Sequence, residues 1–587
     1  MVFTSGRIHE NDCVDVVGCS AAAEMAPICE VLFGPAPRAS GDWGGQVNPL
    51  CLLTDALIRV SGSPGQVDRL SLPQLLARLS AAEPLDFPML RPHQQPAWHA
   101  FLVQLAYLAL ESTELAKPPT DAASWSSLLR ALTPDHPADE PWCLVVDDWQ
   151  RPAFLQSPCL AGGQADYRRV LGSAQEIDLL ITSKNHDEKV GKMPRLGSED
   201  ADLLVFALVS LQGFSGFLGA GNYNTLRMNG GFASRAQFRL VFARGTGPEF
   251  CRDLAALQAH TERMWQDAAG LGIGTVHQQS LLWLAPWGDP ALPLAAVHPL
   301  CLDVCRRVRL RSVDGVLQAL TAASKSARVD AKDRKGVVLD PWLPLTKDGG
   351  VRAFTAQASS FGYRLLSPVL FDSQRYDLPL LARPGPGEGG AGVLLAQVLV
   401  GGSGRTDGLL RREIPLRGRA LRKFADARDE LALRARLFIE ITSTLQGKVL
   451  RSALLQFIDG SVEPDWKNGD FAKYVVRWTD LFDEWVDEVF YAALFDTIEA
   501  ELSDQAAQVQ WLSVLRPLAQ QVFDSATEAL PSRDGSRLIA LARAQRLFIA
   551  GLYKQFGALL PPCPAATASA DTLADAALAQ PEPHHVH

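Results

Sequence analysis

The stretch RALRKFADARDELALRARLFIEITSTLQGKVLRSALLQF, residues 419–457, contains a single glycine and repeats apolar residues at intervals of three and four. That spacing predicts one long amphipathic helix. Three further helices are predicted after it, over about 470–503, 504–530 and 536–556, with short connections between them. Four long helices in series favour an up-and-down four-helix bundle.

Before Pro415, the sequence mixes helical and strand-like patterns with turn residues. SLPQLLARLS (71–80) predicts a helix capped by serine with proline in its first turn, and AWHAFLVQLAYLALE (97–111) predicts an apolar helix. From about 140 to 410, short β-like runs such as WCLVV, FRLVF and GVVL alternate with turn clusters. The predicted fold class is therefore α+β, with an irregular mixed N-terminal globular domain followed by a C-terminal four-helix bundle.

The predicted organisation has four parts. They are a weakly patterned N-terminal extension (1–47), an α+β domain (48–410), the four-helix bundle (411–558) and a Pro/Ala-rich tail (559–587) that we expect to be disordered. Residues 203–226 carry no charge, but only about the first nine are strongly apolar, whereas a membrane span needs about 20. A buried helix that runs into a glycine-rich loop is the better interpretation, and no membrane partner is expected.

Composition narrows the class of protein. The 587 residues are 47% apolar and 21% charged, which is typical of a globular chain rather than a disordered one. The ten cysteines lie mostly far apart and form no disulfide framework, so a reducing, cytoplasmic location is expected. Cys301 and Cys305 have a metal-like spacing but lack the second pair that a structural zinc site needs.

The net charge of -9 argues by itself against a nucleic-acid binder, yet its distribution matters more. Residues 463–504 hold twelve acids and three bases, a balance of -9 that equals the value for the whole chain. Two windows, 303–335 and 401–436, each have a balance of +5. The pattern predicts an acidic outer helix that faces solvent or a protein partner, and basic loops that face nucleic acid.

Familiar catalytic and cofactor motifs do not fit this chain. GAGNYN (219–224) lacks the third glycine of a dinucleotide-binding fingerprint and follows a helix, and GGSGRTDG (401–408) lacks the GK[ST] ending of a P-loop. SKNHDEK (183–189) places His186 beside Asp187, which leaves a metal-dependent nuclease as an alternative. Neighbours along a chain seldom converge on one reacting atom, however, and no second histidine lies near. No cofactor is predicted.

Three polar loops remain: SKNHDEK, GAGNYNTLRMNGG (219–231) and GGSGRTDGLLRR (401–412). Glycines let a backbone approach a ligand closely, and Asn, Lys, Arg and Thr supply hydrogen-bond donors. Such thin loops suit a DNA groove better than a deep small-molecule pocket. Ordinary turns between elements are the alternative that composition leaves open.

These segments also carry a resemblance. From about Asn48 to Gly557, the chain resembles the CasA family, the large subunit of the type I-E CRISPR Cascade complex. LLTDALIRV, SLPQLL, PAFLQ (152–156), the two glycine-rich stretches and the closing LIALARAQRLFIAGLYKQF follow in family order. Leu57 and Arg59 stand where the family usually has Trp and Pro.

The resemblance implies a non-catalytic subunit of a crRNA-guided surveillance complex. Such a subunit reads the protospacer-adjacent motif (PAM) of double-stranded target DNA from the minor groove, promotes strand separation and R-loop formation, and helps recruit a helicase-nuclease. The implied partners are the other Cascade subunits, crRNA, target DNA and that helicase-nuclease. A purely structural assembly subunit is the remaining alternative.

The resemblance also implies which residues contact DNA. The glycine loop corresponds to Gly219, Ala220, Gly221 and Asn222, and the lysine finger to either Lys332 or Lys335. The wedge hairpin corresponds to Gly404, Arg405, Thr406, Asp407 and Gly408; it has no glutamine, the family's usual wedge, so Arg405 or Thr406 takes that role. Secondary nucleic-acid contacts are expected from Lys184, Asn185, Arg411 and Arg412, and no catalytic or metal-ligating residue is expected.

Overall fold

The computed structural model describes residues 49–63, 66–178, 200–276, 278–288, 290–356, 361–402, 405–461, 469–530 and 537–561. The helices there are α1 (Leu72–Ser80), α2 (Gln95–Glu111), α3 (Ala122–Ala131), α4 (Ala174–Ile177), α5 (Ala201–Phe214), α6 (Thr246–Ala259), α7 (Thr261–Leu271), α8 (Tyr363–Phe371), α9 (Gly418–Asp426), α10 (Arg428–Thr444), α11 (Arg451–Asp459), α12 (Gly469–Glu499), α13 (Asp504–Ala529) and α14 (Arg537–Phe556). None of these helices is both long and apolar enough to cross a membrane.

The strands are short, with one exception. They are β1 (Ile58–Ser63), β2 (Gln66–Leu70), β3 (Arg169–Leu171), β4 (Gln237–Val241), β5 (Gln279–Leu281), β6 (Leu292–Pro293), β7 (Val297–Leu302), β8 (Arg307–Val313), β9 (Val316–Ala322), β10 (Val329–Asp330), β11 (Leu345–Thr346), β12 (Arg352–Ala353), β13 (Tyr376–Asp377), β14 (Ala391–Gly402) and β15 (Arg405–Arg417). The long pair β14–β15 forms an antiparallel hairpin, and β4 lies on the other side of β14. The order β3-β9-β8 makes a second antiparallel sheet.

Local sequence signals explain the N-terminal helices. Ser71 begins α1 with a capping box, in which the Ser71 N–H donates to Gln74 Oε1 at 2.9 Å, and Pro73 occupies the first turn. Nearly every residue of α2 from Pro96 to Leu110 is buried, because a helix that is apolar all round belongs inside a core. These two predictions are confirmed, as is the buried helix α5 before the glycine-rich loop. GVVL (336–339) is not a strand.

The first bundle helix differs from its prediction. The sequence predicts one helix over 419–457, but Ala427 leaves helical geometry (φ -146°, ψ 44°) and separates α9 from α10. A π-helical turn, Leu445–Leu450, then joins α10 to α11. Because no glycine or proline marks the break at Ala427, tertiary packing sets it: Arg428 beside it donates to the Tyr376 carbonyl at 2.6 Å.

The remaining bundle helices match their predicted spans closely, and the α+β class is confirmed. Trp511 of α13 is fully buried and stacks on Phe438 of α10, with ring centroids 4.7 Å apart. Its indole N–H donates to the Phe438 carbonyl at 3.0 Å, so the largest side chain of the bundle core is also satisfied. Loss of such a ring costs about 3–5 kcal/mol.

Two large apolar cores and one small cluster lie within the described residues. One lies among the N-terminal helices and the strands β7, β8 and β9. The other joins the β4–β14–β15 sheet and α8 to the helical bundle. The long hairpin therefore belongs to the same core as the bundle. The predicted domain boundary between residues 410 and 411 stays a prediction, and β15 runs across it.

Candidate nucleic-acid interface

The glycine loop (219–222) is a tight turn at the surface. The Asn222 N–H donates to the Gly219 carbonyl at 3.0 Å, and Gly221, the third residue of the turn, has φ +81°. A type II turn requires positive φ at that position, which glycine adopts without strain. Ala220 at the tip is exposed. The loop therefore presents mostly backbone to the outside.

A buried arginine holds the base of this loop. Arg306 donates to the Tyr223 carbonyl and, at 2.6 Å, to the Gly216 carbonyl on the other side of the loop. Gln212 of α5 accepts from the Arg306 N–H at 2.9 Å and donates to the Arg306 carbonyl at 3.0 Å. The arginine is 7% exposed. Its role is therefore to fix the loop's backbone, and it cannot reach DNA.

A second loop, residues 323–325, packs directly against the glycine loop. The Ser324 N–H donates to the Gly221 carbonyl at 3.1 Å, and the Tyr223 hydroxyl donates to the Lys325 carbonyl at 2.9 Å. A Cβ built on Gly221 would lie 2.6 Å from the Ala323 Cβ, so glycine is required for this approach. Lys325 is exposed here. Sequence reasoning missed it, because nothing in the sequence pairs residue 221 with residue 324.

The two predicted lysines lie on a separate turn. Lys332 and Lys335 are both exposed and flank a 3₁₀ turn, Lys332–Arg334. The turn approaches the glycine-rich stretch at Arg227: a Cβ on Gly336 would lie 2.8 Å from the Arg227 carbonyl oxygen. The lysines therefore sit beside the far end of that stretch, whereas Lys325 sits beside the glycine loop itself.

The β14–β15 hairpin meets the same stretch at a third point. Ser234 and Leu399 exchange two hydrogen bonds: the Ser234 N–H donates to the Leu399 carbonyl at 2.7 Å, and the Leu399 N–H donates to the Ser234 hydroxyl at 2.9 Å. Beyond Leu399, the pairing of Val400 with Gly408 is followed by that of Gly401 with Thr406, so the register skips Asp407. The skip is a β-bulge near the hairpin end.

The predicted wedge is described only in part. Arg405, Thr406 and Asp407 are placed as backbone in β15, while Gly404 lies outside the described residues. Gly408 has φ +122°, and a Cβ there would meet nothing within 4 Å. The hairpin that the resemblance implied is thus present at the expected position. The choice between Arg405 and Thr406 stays a prediction.

Residues 215–235, named here the glycine segment, therefore connect all of these parts. The segment contacts the 323–325 loop at Gly221, the lysine turn near Arg227 and the hairpin at Ser234. Each of these three contacts joins the glycine segment to residues about a hundred or more positions away in sequence. Phe232, in this strip, is 47% exposed. The glycine segment therefore links the 323–325 loop, the lysine turn and the β14–β15 hairpin.

The basic window 303–335 is less available than its charge suggested. Arg306, Arg309 and Arg328 are buried and donate to main-chain carbonyls; Arg309, for example, donates to the Arg151 carbonyl at 3.0 Å. Burial lowers the pKa of Arg309 and of Arg328 to about 10. The prediction that this window faces nucleic acid is wrong for these three arginines. The amines of Lys325, Lys332 and Lys335 are on residues exposed at the surface.

Part of the window 401–436 pairs with the acidic helix α12 and the turn after it. Arg412 pairs with Asp487 at 2.8 Å, and Arg419 with Glu501 at 2.9 Å. Burial raises the pKa of Asp487, although Arg412 opposes that shift. The predicted separation of an acidic outer helix from basic loops is therefore wrong in part, because the two charged segments pair with each other. Arg412 is accordingly a structural residue in this chain.

Five acids of the predicted acidic helix divide between two faces of α12: Asp480, Asp483, Glu484, Asp487 and Glu488. Asp480, Glu484 and Glu488 are exposed, as predicted. Asp483 instead accepts hydrogen bonds from Arg364 at 2.8 Å and from the Tyr363 hydroxyl at 2.7 Å. Residues 483 and 487 are four apart and share the inner face, where they join α12 to the N-terminal end of α8.

The remaining predicted residues fall into two groups. Arg411 is partly exposed and pairs with Glu413 at 2.8 Å, so it stays a candidate contact. Lys184 and Asn185 lie outside the described residues, as do His186 and Asp187 of the nuclease alternative. Within the described ranges, no group of three or more His, Cys, Asp or Glu side chains could hold a metal ion.

An α+β body joined through a long hairpin to a helical bundle is the class of structure that these elements define. Solved structures of that class include CasA from Thermus thermophilus (16% identity, TM-score 0.57), Cse1 from Thermobifida fusca (14%, 0.56) and the CRISPR-associated protein Cse1 from Acidimicrobium ferrooxidans (14%, 0.55). They align over 86%, 86% and 88% of this chain and over 100%, 98% and 100% of theirs. No family model and no curated protein matches this chain.

The chain therefore has the CasA/Cse1 fold, almost from end to end of those structures. The predicted resemblance is confirmed at the level of fold. Identities this low leave the roles of individual residues to be argued from this chain's own geometry.

Proposed function

We propose that this protein is the non-catalytic large subunit of a crRNA-guided Cascade complex in the cytoplasm and reads the PAM of double-stranded DNA. The observation that carries the proposal is the convergence of the glycine loop, two lysine-bearing segments and the hairpin on the glycine segment. The CasA/Cse1 fold supports it. The partners proposed are the other Cascade subunits with crRNA, target DNA and a recruited helicase-nuclease.

Readout in this proposal is from the minor groove. The groove is about 6 Å wide and offers a degenerate set of acceptors, so a thin backbone loop and one or two amines suit it better than a helix does. Lys325 is added to Lys332 and Lys335 as a candidate amine, because its loop is hydrogen-bonded to the glycine loop. Target sequence is then read by guide pairing, and the protein reads only a short motif, as in another RNA-guided effector.

Strand separation is assigned to the hairpin end. A wedge between base pairs must offset unstacking of a few kcal/mol per step, and contacts to the bent duplex and displaced strand supply that energy. The bulge at Asp407 and Gly408 bends and twists the end of the hairpin relative to its base. Arg405 and Thr406 come directly before it, and Arg411 remains available to a phosphate.

The lysines are tested in the assembled complex with crRNA. Lys325→Ala and the double variant Lys332→Ala with Lys335→Ala are compared with Lys117→Ala, a variant at an exposed lysine in the connection between α2 and α3. A hydrogen bond from a charged group is worth about 1.5–3 kcal/mol, so the responsible variant should bind a PAM-bearing duplex roughly 10- to 150-fold more weakly. If both variants bind that duplex as well as Lys117→Ala does, the amine assignment fails.

The wedge is tested with two DNA substrates. Arg405→Ala combined with Thr406→Ala should slow the opening of an intact duplex, yet leave binding to a target whose PAM-proximal pairs are already melted unchanged. Equal losses on both substrates would contradict a wedge and indicate a simple affinity contact. Degradation of the bound target on addition of the helicase-nuclease tests recruitment separately, with the pre-melted complex as substrate.

A further inference from the structure

Two cysteines that are far apart in sequence face each other across a short β-bridge. Cys51 and Cys143 form an isolated antiparallel pair, flanked by hydrogen bonds from the Leu52 N–H to the Trp142 carbonyl (2.9 Å) and from the Leu144 N–H to the Leu50 carbonyl (3.2 Å). Those bonds lie on either side of the pair, which makes it a non-hydrogen-bonded pair. The Cα atoms of such pairs are about 4.5 Å apart, with side chains on the same face.

That geometry matches the requirements of a disulfide. Disulfides need Cα atoms about 4.4–6.8 Å apart and Cβ atoms that face each other. Both cysteines are free, and the Cys143 thiol donates a hydrogen bond to the Asp139 carbonyl at 3.3 Å. Cys51 and Cys143 are 6% and 5% exposed, so the pair is shielded but not sealed from solvent. Only the S–H bonds have to be exchanged for an S–S bond.

The two thiols also differ in acidity. The neighbouring Cys143 thiol lowers the pKa of Cys51, whereas the neighbouring Cys51 and burial raise the pKa of Cys143. The thiolate is the nucleophile in disulfide exchange, so Cys51 is the attacking sulfur and Cys143 the resolving one.

We propose that Cys51 and Cys143 are an oxidative modification site that closes to a disulfide in the folded protein. The oxidant is a low-molecular-weight disulfide. The Cys51 thiolate attacks one of its sulfurs, forming a mixed disulfide and releasing one small thiol. Cys143 then loses its proton, attacks the Cys51 sulfur and expels the second small thiol. Two protein S–H bonds become one S–S bond, and the small disulfide is reduced to two thiols.

Closure has a local structural consequence. The bond would tie the turn at Leu50–Asp55, just before β1, to the segment that follows Trp142. Trp142 is fully buried and meets Trp283 edge to face, with ring centroids 6.3 Å apart. The cross-link closes a loop of about ninety residues, and such long loops constrain the unfolded chain strongly. The oxidised protein should therefore melt at a higher temperature than the reduced one.

The test is a peptide map of the full-length protein after incubation with 2-hydroxyethyl disulfide, followed by alkylation in denaturant. Most of Cys51 and Cys143 should be recovered as one linked peptide, and dithiothreitol should restore both alkylated peptides. Cys301 and Cys305 are the matched control: they are equally buried, burial raises the pKa of each to about 11, and neither faces another thiol across a bridge in the described part of the chain. They should be recovered alkylated.

Two variants and one solvent condition make the outcome decisive. Cys51→Ser should leave Cys143 unlinked, and Cys251→Ser should link Cys51 to Cys143 as the wild type does. In urea, the preference for this pair should disappear. Recovery of Cys51 and Cys143 as alkylated thiols, or as separate mixed disulfides with the reagent, would overturn the proposal.

Discussion

Replacement of Gly221 by alanine tests whether the glycine loop and the 323–325 loop form one unit. Gly221 has φ +81°, and an alanine Cβ there would lie 2.6 Å from the Ala323 Cβ. The positive φ alone costs an alanine about 1–2 kcal/mol. The overlap adds about 1–3 kcal/mol if the loops stay in place.

The loops can relieve that overlap by separating. Separation would break the Ser324–Gly221 and Tyr223–Lys325 hydrogen bonds. At about 1 kcal/mol net for each bond, this limits the contribution of the overlap to about 2 kcal/mol. We therefore expect Gly221→Ala to lower the free energy of unfolding by about 2–4 kcal/mol in total.

Gly219→Ala is the matched control, because Gly219 has φ +97° and a Cβ there would meet nothing within 4 Å. It should cost only the strain of about 1–2 kcal/mol. Ala323→Gly combined with Gly221→Ala should recover the difference, and the double-mutant cycle isolates the contact. Urea unfolding measures five proteins: the wild type, Gly221→Ala, Ala323→Gly, their double variant and Gly219→Ala. Hydrogen exchange of the Ser324 amide reports loop separation. A Gly221→Ala cost no larger than that of Gly219→Ala, or no recovery in the double variant, would refute the reasoning.

Two further predictions concern charge. Arg412→Ala should destabilise the protein by about 1–3 kcal/mol, since it leaves the half-buried Asp487 carboxylate without its ion pair; Arg411→Ala, at an exposed pair, should cost less than about 0.5 kcal/mol in the same urea titration. Burial alone would raise the pKa of Glu111, but hydrogen bonds from His298 and other groups lower that pKa below its usual value. The ionised Glu111 therefore stabilises the fold at pH values above its unfolded pKa of about 4.3. This contribution is lost as the pH falls through the pKa of the folded state. Glu111→Gln should therefore reduce the melting temperature at pH 7 and flatten its fall on acidification; an unchanged acid limb would contradict this assignment.

The helices were predictable because their signals are local. The Ser71 capping box, the proline in the first turn and the three-to-four spacing of apolar residues through α12, α13 and α14 each act within a few residues of chain. The break at Ala427 was not predictable, because no residue there disfavours a helix. The contact that fixes the neighbouring Arg428 comes from Tyr376, about fifty residues away.

The net charge of sequence segments was the least accurate guide to which residues are exposed. Sequence arithmetic counts Arg306, Arg309 and Arg328 as available cations, whereas the fold buries all three and uses them to satisfy main-chain carbonyls. Arg412 likewise counts as basic surface, but its partner Asp487 belongs to the acidic helix. The net charge of a segment does not show which oppositely charged side chains pair in the fold. Those pairs, together with burial, decide which basic residues remain available at the surface.

The candidate interface was predictable as a set of loops but not as a surface. Composition predicted the polar, glycine-bearing loops, and the family resemblance implied which of them form the glycine loop and the hairpin. Lys325 was missed because its proximity to Gly221 depends on the pairing of distant segments.

The β14–β15 hairpin is supported by neighbouring elements along part of its length. On one side β14 forms five residue pairs with β4, and on the other Arg412 of β15 pairs with Asp487. The pairs from Val400–Gly408 to Gly402–Arg405 lie beyond the contact of Leu399 with Ser234. Because the hairpin and the bundle share one apolar core, we expect a displacement of the bundle to move the hairpin as well. The bulge beside Gly408 is the compliant point where bending is expected to concentrate. A partner that binds the bundle and a partner that binds the end of the hairpin would therefore act on the same connected part of the fold.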